Sequence, residues 1–262
     1  MRKLFLLLVL SMTLFIALFS ASSFADSSFS EGVSADSSET DSLADEELSV
    51  LQEKIHQAIV KFEQTDRKRW SYQVNRFENE EGDITSSLER FTPTPDAKIP
   101  WTLLRINGSK PTAKQQKKFL KTKRKSADKK QKGKNYSVKF REIINVESLA
   151  YQAETVRHLE MTFQVQLNQF GDDAKGKLDG LLSYNKQDGF IETITIANNA
   201  PFSPMFSASI NEFLLTFNFI NIDEAILFRE HTLEMKGTFA YFVEIDEVSK
   251  DTYLDYQYQA FE

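Results

Sequence analysis

No cysteine occurs in these 262 residues. No disulfide framework can staple the fold, no thiol can serve as nucleophile, and no cysteine is present to receive a lipid anchor. Histidine is nearly as scarce: His56, His158 and His231 lie far apart, and none is spaced with another ligand as a metal site requires. There is no Gly-x-Ser-x-Gly elbow and no Walker glycine loop. The carboxylate pairs Asp172-Asp173 and Asp246-Glu247 fall where turns or strand ends are expected, so they read as solvated turn residues rather than as an acid and a base. These absences point away from an enzyme and imply no cofactor. Glycine is also sparse, with nine residues, whereas phenylalanine is abundant, with twenty-two. Aromatic side chains suit a half-buried pleated surface, so the balance leans towards sheet.

What is present begins with a secretion signal. Arg2 and Lys3 precede an apolar run from Leu4 to Phe19, followed by small residues up to Ala25. This is the order of a signal peptide, with cleavage expected after Ala25, and the run is short for a bilayer span. Export without disulfides points to a bacterial periplasm. Losing Arg2 and Lys3 takes the net charge from −6 to −8, so general affinity for polyanions, nucleic acid included, is not expected. Residues 26–44 read as an acidic leader without stable structure, and 45–262 as a single domain.

Within that domain a helix is expected from about Asp45 to Gln64, since Leu48, Leu51, Ile55, Ile59 and Phe62 form one apolar stripe. The period then changes to two. Trp70–Glu78 and Ile84–Thr92 flank a loop containing Gly82, and Ile99–Ile106 is a further strand closed by Asn107-Gly108. Leu159–Leu167 alternates without a fault, and Lys177–Tyr184 and Phe190–Ala197 enclose another hairpin loop. Phe213–Phe219 reads either as a strand or as the end of a buried helix starting near Phe206. Leu233–Val243 and Thr252–Phe261 complete an antiparallel run with one wet and one dry face. The fold class is therefore α+β: a long curved antiparallel sheet, an unclosed barrel, with a few helices on its concave face. A membrane barrel is set aside, because Tyr72–Glu78 and Ile84–Arg90 lack a continuous apolar outer band.

One segment breaks the pattern. Lys110 to Lys134 carries twelve lysines and arginines against one acid. The Thr112-Ala113-Lys114-Gln115 capping box predicts a helix from about Ala113 to Lys125. Only Phe119 and Leu120 interrupt the lysines, which is too little aromatic interleaving for nucleic acid and too narrow an apolar face for membrane insertion. A solvated, mobile helix is the first reading, and weak contact with an anionic membrane surface the second.

The dry sheet face is the remaining candidate site, with Phe163, Val165, Phe217, Phe239 and Tyr241 as its ligand-binding residues. The order of elements, with loops such as Asn185–Ile191, resembles the family of the periplasmic lipoprotein carrier LolA and its receptor LolB. That resemblance implies an unclosed β-barrel with helices as a lid over an apolar interior. LolB carries a lipid anchor, for which this chain has no cysteine, and the lysine-rich insert is not a family feature. The expected function is an exported periplasmic carrier for a lipid, acyl chain or lipidated protein. The alternative is a non-enzymatic envelope interaction module whose sheet is fully packed.

Overall fold

A computed structural model of the protein describes residues 39–94, 99–131, 139–165, 170–240 and 242–260. The first helix, α1, spans Glu39–Gln64 and so begins ahead of the expected Asp45, taking in the end of the stretch read as an acidic leader. Its predicted stripe faces the sheet: Ile55, Ala58, Ile59 and Phe62 are buried, with Leu48 and Leu51 packed at the margin. Strands β1 (Trp70–Glu80) and β2 (Asp83–Phe91) then form the first hairpin. Its two-residue turn, Glu81-Gly82, takes positive φ at both positions, the geometry that matches the right-handed twist of the flanking strands. Strand β3 (Trp101–Ile106) pairs with β2 and ends at Asn107-Gly108, again with both φ values positive.

The basic helix α2 covers Ala113–Gln131. Its capping box forms as the sequence predicts: the Thr112 amide donates to Gln115 Oε1 at 2.8 Å, and the Gln115 amide donates back to Thr112 Oγ1 at 3.3 Å. A one-turn helix, α3 (Phe140–Ile143), brings Phe140 and Ile143 into the interior. Strands β4 (Ala150–Glu154), β5 (His158–Gln164), β6 (Leu178–Asn185), β7 (Phe190–Asn198) and the short β8 (Phe202–Met205) follow. Three long strands close the chain: β9 (Ala208–Ile222), β10 (Ala225–Phe239) and β11 (Val243–Tyr258).

All eleven strands join one antiparallel sheet in the order β3-β2-β1-β11-β10-β9-β7-β6-β5-β4, with β8 paired to β9. The N-terminal hairpin thus attaches to the meander through the last strand, β11. The two ends of the order, β3 and β4, do not meet, so the sheet is an unclosed barrel with its helices on the concave face. Phe213–Phe219 resolves as strand: it is the middle of β9, which turns into β10 through Asp223-Glu224. Where β7 gives way to β8 the ladder is bridged by Asn198, whose side chain accepts from the Phe213 amide at 2.7 Å and donates to the Asn211 carbonyl at 2.9 Å. Among the described residues no helix is long and apolar enough to cross a membrane.

Candidate functional site

Strand register places every inward side chain on a definite row, and the rows change character across the concave face. One row runs Met161, Leu182, Ile194, Phe217, His231, Asp251, Arg76 and Ser87 over eight strands. The next runs Phe163, Gly180, Ile196, Leu215, Leu233, Ser249, Glu78 and Thr85. Both rows are hydrocarbon from β5 to β9 and polar from β11 to β2. The concave face is therefore amphipathic, with the border along β10 and β11.

The apolar half holds most of the residues expected from the sequence. Phe163 is buried, and its ring lies where a Cβ on Gly180 would have to be, so the absence of a side chain at Gly180 makes room for it. Val165 is half-buried and forms a single bridge with Ile144 beyond the end of β5. Phe217 is buried among Phe140, Phe219, Phe228 and His231, with ring centroids 6.2–6.4 Å away. Phe239 sits half-buried at the far end of β10, and Tyr241 lies outside the described residues. Phe163 and Phe217 thus share the face on neighbouring rows, while Val165 and Phe239 lie towards its margins. Helix α1 covers the centre: the Phe62 ring is 4.2 Å from Phe140, 5.1 Å from Phe219 and 6.0 Å from Phe228.

The polar half was not expected. Arg76 is buried; its Nη1 donates to Asp251, and its Nε stands 3.3 Å from Glu89. Glu89 in turn accepts from Lys123 of α2 at 2.6 Å, and the Lys123 ammonium lies 3.9 Å from the Trp101 ring centroid. The insert is consequently docked, not free: Lys123, the half-buried Phe119 and a hydrogen bond from Gln116 to the Leu103 carbonyl at 2.9 Å fix one helix face to β3 and β2. The pair Asp246-Glu247 also departs from expectation. It lies inside β11 and not in a turn, and Glu247 points inward and is buried. Asp172-Asp173, by contrast, does occupy a turn.

The electrostatics follow from this burial. Burial works against the Glu89 carboxylate, but Arg76 and Lys123 outweigh it and hold its pKa below the usual range. Burial, and then the neighbouring Arg76, lower Lys123 to about 8. The same two causes push His231 down to about 3, so it is a neutral imidazole. Burial raises Asp251 to about 6 against the pull of Arg76. Glu247 rises to about 7, through burial and then Glu80, Glu81 and Glu78. Among the described residues, and apart from Arg76 Nε beside Glu89, five buried polar atoms on this half have no hydrogen-bond partner: Arg76 Nη2, His231 Nδ1, Glu247 Oε2, Ser249 Oγ and Tyr253 Oη. Buried polar atoms are normally paired, so five on adjoining inward positions mark a place suited to water or to the polar part of a ligand.

Chemically, the arrangement offers hydrocarbon on one side and hydrogen-bonding groups on the other. Among the described residues no group of three or more His, Cys, Asp or Glu side chains could hold a metal ion. Period two in β11 puts Ile245, Glu247, Ser249, Asp251 and Tyr253 on one face, but Glu244, Asp246 and Lys250 charge the other, so the sequence does not mark which of the two is inward. No known protein family matches the chain, and no curated protein or solved structure matches it either.

Proposed function

We propose that the protein is an exported, non-enzymatic carrier of the bacterial periplasm that binds an amphiphile: a lipid, an acyl chain or the acylated end of a lipoprotein. The carrying observation is the change along single sheet rows from Phe217 and Leu215 to Asp251, Arg76 and Ser249. An acyl chain fits the first half, and an ester or carboxyl head the second. An unclosed antiparallel sheet crossed by a helix also accords with the resemblance to the LolA family. Helix α1 has to move in this reading, because its stripe occupies the apolar half. It is tied by Lys61 to Glu224 at 2.6 Å, by Gln52 to the Leu149 carbonyl at 3.3 Å, by Glu63 to Arg141, and at its end by Arg67, which joins the Phe62 and Ile226 carbonyls; movement has to exchange these bonds, while an entering chain replaces the apolar contacts given up.

One observation favours a second reading. The close contacts of Phe62 with Phe140, and of Phe163 with Gly180, fill the face with the protein's own side chains, as an interaction module with a packed sheet would. Native mass spectrometry without detergent, followed by solvent extraction and titration with a fluorescent fatty-acyl probe, separates the two. The carrier takes up probe saturably, and Phe217→Ala weakens uptake by about tenfold, as expected for removing a buried aromatic contact. A chain that is free of lipid and takes up no probe sinks the carrier and leaves the packed module.

A further inference from the structure

Docking sorts the charges of α2 into two faces. Gln116, Phe119 and Lys123 point at the sheet, so the residues half a turn away point outward. Those outward residues are Lys114, Lys117, Lys118, Lys121 and Lys125, with Arg124 at the side and the acid Asp128 one turn further on, and all six cations are exposed. Their spacing of three and four residues makes a single stripe about 17 Å long at 1.5 Å per residue. Among the described residues none of the six stands within ion-pair distance of a carboxylate. A free helix would turn these charges in every direction, whereas this one presents them as a plane.

We propose that this stripe is the surface by which the protein docks onto a membrane rich in anionic phospholipid. The partner follows from three features. No aromatic side chain lies on the stripe, so it has nothing on which to stack bases. No large apolar side chain lies at its centre, so the contact stays at the depth of the headgroups. The whole chain is acidic, at −6, so an approach with α2 facing the membrane is favoured over one that turns the net acidic remainder towards it, and the stripe orients the protein as well as making the contact. Lys123 anchors the same helix through Glu89 and Arg76, which places the polar half of the concave face directly behind the docking surface. The inference stands whether or not the protein carries an amphiphile.

The test is co-sedimentation of the full chain with vesicles of phosphatidylglycerol and phosphatidylethanolamine, against neutral phosphatidylcholine vesicles, at low and at about 0.5 M salt. The apolar N-terminal run would bind both vesicle types alike, so the reading is the anionic excess over neutral. A stripe variant, Lys117→Gln with Lys118→Gln and Lys121→Gln, is set beside a control with the same charge loss, Lys68→Gln with Lys175→Gln and Lys236→Gln. All six positions are exposed, so both variants should fold, and unchanged Trp101 fluorescence checks that α2 stays docked. The expected result is a salt-sensitive anionic excess that falls by at least about tenfold in the stripe variant and little in the control. Equal binding to neutral and anionic vesicles, equal loss in the two variants, or equally tight binding of a single-stranded oligonucleotide in the same buffer would each overturn the proposal.

Discussion

Arg76 is the residue on which the polar half of the concave face depends. It is a guanidinium in a buried position, and it has two carboxylate partners, Asp251 and Glu89. A buried ion pair is weak evidence of net stabilisation, but removing Asp251 takes away the acceptor of the Arg76 Nη1 hydrogen bond and leaves the guanidinium only Glu89, which it shares with Lys123. Asp251→Ala is therefore expected to cost about 3–5 kcal/mol, read as a lower urea midpoint with an unchanged slope. Lys123 predicts the contrast. Its ammonium lies on the helix side of Glu89, so Lys123→Met keeps the stem over Trp101 and leaves Arg76 to hold Glu89. A loss as large as that of Asp251→Ala would show that Lys123, and not Arg76, is the main counterion.

At the scale of elements, the longest hairpin turns on two residues that disfavour the turn. Asp223 and Glu224 link β9 to β10 with φ values of 49° and 66°, a conformation in which Asn-Gly is at ease and glutamate is not. Replacing the pair with Asn-Gly should stabilise the fold by about 0.4–1 kcal/mol, seen as a raised thermal midpoint. The ion pair from Glu224 to Lys61 would be lost, but Glu224 is 82% exposed, so that loss is the smaller effect. A lowered midpoint would mean that this contact with α1 matters more than the backbone. The same turn explains why β9 is ambiguous in the sequence: nothing in Ile222-Asp223-Glu224-Ala225 announces a hairpin, and Leu214 on the outward face makes a continuous apolar run with Phe213 and Leu215 that hides the alternation. The strands bounded by Gly82, Asn107-Gly108 and Gly189 were legible because their turn residues are the ones such turns require. Helix α2 is legible as a helix from its capping box, yet its docking is not, since the residues that make the contact, Gln116, Phe119 and Lys123, do not stand out among the lysines around them.

Across the whole molecule, the curved antiparallel sheet could be read from period-two alternation, but the polar half of its concave face could not. Both faces of β11 carry charges, so alternation gives no contrast by which to tell inside from outside. The pairing of β1 with β11, which brings Arg76 to Asp251, joins residues 175 positions apart and leaves no local trace. That buried acidity has a consequence for the pH dependence of the entire fold. Glu247 ionises at about 7 in the folded chain against an ordinary 4.5, so between those values the folded state holds the proton more tightly than the unfolded state. Stability from this group is full below about 4.5 and is lost as pH rises through about 7. His231 runs the other way: its folded pKa of about 3 lies below its ordinary 6.5, so its contribution grows as pH rises between them. The two oppose each other in the wild type, and the difference between wild type and Glu247→Gln cancels the histidine. The glutamine variant should match the wild type near pH 4 and exceed it by about 2 kcal/mol at pH 8, since one pKa unit is worth about 1.4 kcal/mol and residual solvent contact reduces the full effect. Denaturant melts at the two pH values measure this directly. A wild type that is the more stable of the two at pH 8 would mean that the Glu247 carboxylate has a cationic partner, and the polar half of the concave face would then be a closed ion-pair network and not a place with hydrogen-bonding groups to spare.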